Sequence, residues 1–473
     1  MSPPRLGSTE VKDRIESSAH VKAATKRRVW LVVGVILFVL LLRWAYINWL
    51  SLVFGYYGFT YAVPPDRYLA LAFVCSVLPS LWMPMEVTRP SQLGYWVLYL
   101  TVFIPSMIIP LFVQLSELPS IARLIVTLFV GFAILGSSYL FQLRQPRPTR
   151  QGQSVFWYGF ALLIIICGGT AFLTLRNNIH LVSFSEIYDV RDAASEMSTG
   201  PLTNYSVMWL YGAINPFLIA WGLFYKRPSF FIAGALGQLL VYSSFGTKAS
   251  LLSVVFILGL YLLFRIGKVP FALKLTWVIV AFFALLCGTY TFSGEEPGLV
   301  LFGLLFLVFF RSFGLAGLLT GQYLNFFQHN PFTYYSHLKI VDLFVRYPFH
   351  YPLGTEIGYY YYNPLVDTTA HFWATDGIAA FGLPGILLIS MIGAVVFWCI
   401  DSFTQHQDPR FAGLATFYAT YSLANLSMFT TFLSGGLGLL IILLYFAPLQ
   451  PRSAFNVRLK PVPSPAPSPR PTS

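Results

Sequence analysis

Thirteen runs of 17–25 mostly apolar residues recur along this chain, and no other feature constrains its fold as strongly. Runs of that length cross a hydrocarbon core of roughly 30 Å as helices. Barrel strands would be about ten residues long and would alternate in polarity, which these do not. The runs fall at 29–50, 68–85, 94–114, 121–142, 155–175, 205–224, 229–245, 249–266, 271–292, 298–317, 376–400, 409–429 and 432–449. They define an all-α polytopic membrane protein. Composition agrees: of 473 residues, 56% are hydrophobic and 10% charged, where a soluble domain carries about a quarter charged.

The net charge of +12 does not indicate nucleic acid as a partner, because the basic residues are scattered through short loops between the runs. Such loops orient a chain in a membrane. Cys75, Cys167, Cys287 and Cys399 all lie in apolar runs without metal-ligand spacing, so they read as small hydrophobes. No metal or other cofactor is expected. Residues 1–28 carry seven Lys/Arg and three acids, and no small-residue cleavage site follows the first run. That run therefore reads as a retained helix behind a basic cytoplasmic segment. Residues 450–473 read as a disordered Pro/Ser-rich tail, also cytoplasmic, and no separate soluble domain or repeat interrupts 29–449.

Lys26, Arg27 and Arg28 place the N-terminus inside. Alternation then puts Arg144, Arg147 and Arg150, Lys226 and Arg227, and Arg265 and Lys268 inside, with Glu117, Glu295 and Glu296 outside. Thirteen crossings would carry the basic tail outside, so one run must fail to cross. The expected exception is 298–317, which holds Arg311 in its second half, since an isolated charge within a span is costly. About twelve crossings remain, with large external loops at 176–204 and 293–375.

The first loop reads Ser-Glu-Ile-Tyr-Asp-Val-Arg-Asp over 185–192, which is either a solvated linker or a polar site. The segment 318–375 is longer than structureless loops usually are. It holds nine tyrosines and four of the seven histidines, His329, His337, His350 and His371, with Asp342, Glu356 and Asp367, and Asp376 follows just beyond. Aromatic faces beside polar tips suit sugar rings, although tyrosine also forms the ordinary interfacial belt of membrane proteins. Lys248 and Arg311 border the outer face. Either they extend to lipid phosphate or, with Arg191, they hold a diphosphate. The sequence contains no Walker loop, no GxGxxG after a strand and no DxD pair.

Four stretches together resemble the O-antigen polymerase family, the Wzy-type oligosaccharide repeat-unit polymerases of bacterial inner membranes. They are 187–191; 246–250; Arg311 with 322–327 and Asn330-Pro331; and 371–377 leading into 381–385. With the hydropathy profile, the resemblance spans roughly 29–449. It implies a GT-C-like, metal-independent membrane glycosyltransferase that joins repeat units carried on undecaprenyl diphosphate at the external face. Membrane lipid surrounds it, and a chain-length regulator and a flippase are its expected partners. The resemblance makes Arg191, Lys248 and Arg311 diphosphate ligands; Asp376, His371, His337 and Glu356 candidates for the base or for positioning the acceptor; and Tyr188, Tyr323, Tyr335 and Trp373 sugar contacts. The rival readings are an O-antigen ligase or other lipid-linked glycosyltransferase, and a secondary transporter or flippase. A transporter would place its polar residues at midplane on broken helices.

Overall fold

The computed structural model describes residues 8–142, 150–179, 200–293, 297–362 and 366–449. Tyr188, Arg191, the stretch 187–191, Glu295, Glu296 and the tail 450–473 lie outside the described residues. Among those described, the chain is helical and has no strand. It is an all-α protein with eleven helices long and apolar enough to cross a membrane. In chain order the helices are α1 (Val21–Val53), α2 (Asp66–Val77), α3 (Pro90–Val113), α4 (Leu118–Leu140), α5 (Ser154–Asn178), α6 (Pro201–Phe224), α7 (Pro228–Phe245) and α8 (Lys248–Arg265). There follow α9 (Phe271–Ser293), α10 (Leu299–His329), α11 (Leu353–Tyr361), α12 (Leu383–Thr404), α13 (Pro409–Ser422), α14 (Met428–Phe432) and α15 (Leu437–Phe446).

Proline opens α3, α6, α7 and α13. Its fixed φ suits the first helical turn, where its missing N–H has no intrahelical partner to lose. Asp408 caps α13 by accepting from the Arg410 N–H at 2.9 Å. The core is aromatic. Phe132 of α4 stacks on Tyr95 and Phe103 of α3, with ring centroids 4.3 and 4.4 Å apart.

Hydrogen bonds between helix ends fix the two ends of the bundle. At the basal end, Arg28 donates to the carbonyls of Ser80 and Met83 at 2.9 and 2.7 Å. There too Arg89 donates to Tyr139 O, the Ala272 N–H to Met85 O, and Gln407 to Ala447 O. At the distal end, the Ala62 N–H donates to Phe112 O at 2.8 Å and Asn178 to Ser244 O at 3.0 Å. The start of α1 and the end of α15 therefore share the basal end.

Three runs depart from simple crossing. The run 68–85 holds only a 12-residue α-helix and a short 3-10 turn, yet it returns the chain from the distal end to Ser80 at the basal end. The runs 409–429 and 432–449 form a hairpin whose second arm, within Met428–Phe446, is long and apolar enough to cross, whereas the first is short. A 14-residue α13 rises about 21 Å, short of a ~30 Å core. At the tip, Gly435 meets Gly212 in mid-α6 so closely that a Cβ on Gly212 would collide with the Gly435 carbonyl. Gly436, at φ +86, turns the chain into α15.

The third run, 298–317, belongs to the longer α10, which passes the test of length and apolarity. Its contacts nevertheless return both arms to the distal end. Phe302 lies against Phe54 with centroids 6.3 Å apart, and Asn325 donates to Leu115 O at 2.6 Å. Between them Phe313 reaches down to Phe38 at 5.7 Å. A nine-residue π-helical stretch, Phe306–Gly314, occupies the bend, a distortion that commonly kinks helices. The segment 318–375 is also less irregular than its composition suggests. Its first part completes α10, and Leu353–Tyr361 forms α11.

Candidate functional site

The segment 366–382 enters the bundle from the distal side. Trp373 wedges between α3 and α4, with centroids 6.3 and 6.2 Å from Phe103 and Phe132, and donates to Ser390 Oγ at 2.8 Å. Residues 373–378 make a π-helical turn that leaves Asp376 fully buried. Asp376 does not cap the helix it lies in. Its carboxylate instead accepts from Ser427 Oγ at 2.7 Å and from the Met428 N–H at 2.5 Å, at the N-terminus of α14. The free N–H groups of a helix start favour negative charge there. This contact joins the inserted distal segment to the tip of the basal hairpin.

Residues 333–338 cover this turn. Thr333 and Tyr334 donate backbone N–H groups to Ala379 and Ala380 at 2.8 and 3.3 Å. Tyr334 and Tyr335 then adopt left-handed conformations, φ 48 and 62. Each costs a non-glycine residue about 1–3 kcal/mol, and such strain concentrates at functional sites. The twist drives Tyr335 between Phe381 and Phe429, 5.5 and 5.4 Å away. It brings His337 Nε2 to 3.3 Å from Asp376 Oδ1. That approach is within ion-pair distance but is not aligned as a hydrogen bond. The Tyr335 hydroxyl and both ring nitrogens of His337 are buried without hydrogen-bond partners. Burial, and then the charge of Asp376, raise the Tyr335 pKa above its ordinary value, so this hydroxyl stays protonated. Three unpartnered polar atoms beside one buried carboxylate are an arrangement that native interiors avoid unless a ligand or solvent completes it.

His371 is sealed in the interior. Its Nδ1 accepts from the Ala374 N–H at 3.3 Å, which leaves Nε2 to donate to Thr320 Oγ1 at 2.7 Å. Burial pushes its pKa down to about 3. A neutral ring with both nitrogens occupied ties α10 to the inserted segment and has no open position for a substrate. Tyr323 and Trp373 are likewise fully buried, with Tyr323 donating to Thr368 O at 3.3 Å. Neither ring offers a face to a sugar, because both fill the core beneath the site. Glu356 lies elsewhere, in the first turn of α11, and accepts from the Tyr351 N–H at 3.3 Å. Of the residues expected from sequence, the structure brings together Asp376, His337 and Tyr335. Ser427, Met428, Phe381 and Phe429 complete the group. Of these, Phe381 lies in the stretch 381–385 singled out from sequence, and Ser427 is a favoured cap residue.

The two expected cations among the described residues stand on α10 and α8. Arg311 is exposed in the bend of α10, and its charge acts on the hydroxyls of Tyr57 and Tyr421. Lys248 is half-buried at the start of α8; two turns on, Phe256 meets Tyr421 at 6.1 Å. Tyr421 stands six residues before Ser427 on the hairpin. Among the described residues, no group of three His, Cys, Asp or Glu is placed to hold a metal.

No family model, curated protein or solved structure matches the chain.

Proposed function

We propose that this protein polymerises oligosaccharide repeat units carried on a polyprenyl diphosphate, acting at the external face of a bacterial inner membrane with both termini in the cytoplasm. The observation that carries the reading is the His337–Asp376 pair beneath the strained Tyr334–Tyr335 turn. A mostly buried imidazole with unpartnered ring nitrogens, backed by a buried carboxylate, is an arrangement that accepts a proton from a hydroxyl. The acceptor sugar hydroxyl gives its proton to His337, and its oxygen attacks the anomeric carbon of the chain being transferred. The bond from that carbon to the diphosphate oxygen breaks, and the electron pair leaves with the diphosphate. Negative charge grows on the leaving group, where Arg311, Lys248 and Arg191 stabilise it. Asp376 orients the ring and stabilises the imidazolium, while Tyr335 offers a hydroxyl to the acceptor.

Orientation is supported by charge. The basal end gathers Arg27, Arg28, Arg89, Lys226, Arg227, Arg265, Lys268 and Lys274, so it belongs in the cytoplasm. The site is then external, where energy already stored in the lipid diphosphate makes a nucleotide unnecessary. In cells that depend on this protein for polymer, His337→Gln should leave single repeat units on the lipid carrier at unchanged protein level. Normal polymer from that variant would remove His337 from the reaction.

A further inference from the structure

One residue beyond His337 the chain forms a tight turn that has no counterpart in the catalytic reading. Leu338 O accepts from the N–H groups of Val341 and Asp342 at 2.8 and 3.0 Å, and Asp342 Oδ1 accepts from the Tyr347 N–H at 3.1 Å. Closed on itself in this way, the turn projects Ile340, Leu343 and Phe344, which are 74, 79 and 85% exposed. Their spacing of three and four residues places them on one face. Lys339 and Arg346 stand exposed on either side. Asp342, the acid between them, is engaged within the turn.

We propose that 339–346 is a membrane anchor, with Ile340, Leu343 and Phe344 immersed in the outer leaflet and Lys339 and Arg346 on lipid phosphates. Three observations choose lipid over a protein partner. Large apolar side chains bounded by cations are the composition of interfacial segments that lie in the headgroup region. Half-exposed tyrosines, Tyr351, Tyr359 and Tyr360, stand in the same distal segment, and exposed tyrosine marks the headgroup level. The turn also belongs to the distal end, from which α10 bows into the bundle and to which it returns. The anchor fixes the height of His337 relative to the bilayer surface, so a group attached to a membrane lipid meets the site at a set distance. The anchoring itself does not depend on the polymerase reading and can be tested without substrate.

The test places a single cysteine at Phe344 or Ile340, and as a control at exposed His350, in a variant lacking the four native cysteines. Each is labelled with an environment-sensitive fluorophore and reconstituted in phosphatidylethanolamine–phosphatidylglycerol vesicles. Labels at 344 and 340 should be quenched several-fold more by a nitroxide on the lipid chain, and several-fold less by aqueous iodide, than the label at 350. Leu343→Asp should reverse that pattern at 340, and Lys339→Gln with Arg346→Gln should weaken it. Iodide quenching at 340 and 344 equal to that at 350 overturns the proposal. So does shielding from both quenchers, because that pattern would show a protein surface covering the turn.

Discussion

If His337 takes the proton and Asp376 acts only through it, substitutions at the two positions must be strongly non-additive. An imidazolium at His337 would lie 3.3 Å from the Asp376 carboxylate. At an effective dielectric of 20 that attraction is about 5 kcal/mol. Ser427 and Met428 already hold the same carboxylate, so the share added as the ring charges is smaller, about 2–4 kcal/mol. Asp376→Asn should therefore slow turnover by roughly 30- to 1,000-fold, and it should lower stability by about 1–2 kcal/mol through the weakened cap on α14. His337→Gln should slow turnover by roughly 10²–10⁴, the usual range for loss of a general base, with little effect on stability. The double variant should turn over at about the rate of His337→Gln alone. The assay is initial rate of polymer formation by purified protein on lipid-linked repeat units, with stability followed by thermal unfolding in detergent. Multiplying effects, or wild-type turnover from Asp376→Asn, would refute the coupling of this pair.

Four further outcomes are expected. Burial holds the folded pKa of His371 near 3, below the ~6.5 of an unfolded histidine; its contribution to stability is therefore complete above about pH 6.5 and is lost as pH falls from there towards 3. Melting of wild type and His371→Asn between about pH 4 and 7.5 should show the difference shrinking at the acid end, and turnover of His371→Asn by protein that remains folded should persist. Trp373→Ala should cost about 3–5 kcal/mol of stability, measured by the same melts, since the ring is core and not a sugar platform. Arg191→Ala should leave single units on the lipid and Arg191→Lys should recover only part of the polymer on a gel, because one ammonium does not reproduce a bidentate fork. A cysteine at exposed Lys339, in a variant lacking the four native cysteines, should react with an impermeant thiol reagent in intact cells, and failure to label would contradict the external placement of the site.

The membrane class was legible because run length and apolarity act along the chain, without reference to neighbours. The hairpin at 409–446 was not, because a run that turns back at mis-matched depth has the same hydropathy as one that crosses. The early end of α13 at Ser422 and the contact of Gly435 with Gly212 separate them. The same limit applies at the site. Histidines and acids could be counted in 318–376, but His371 and His337 differ in burial and not in composition. The Thr320 hydroxyl that occupies His371, and the left-handed turn that aims His337, come from tertiary packing. Asp376 was legible as a buried-boundary acid, whereas its partner Ser427 stands 51 residues away, in a turn that hydropathy does not mark.

The most direct test supplies purified wild-type protein in vesicles with lipid-diphosphate-linked repeat units, with and without EDTA, and resolves products by length. A ladder of polymer still carried on lipid, formed equally in EDTA and absent with His337→Gln, is the expected result. Unextended units that merely change leaflet, with no new glycosidic bond, would contradict the proposed reaction and favour a transporter.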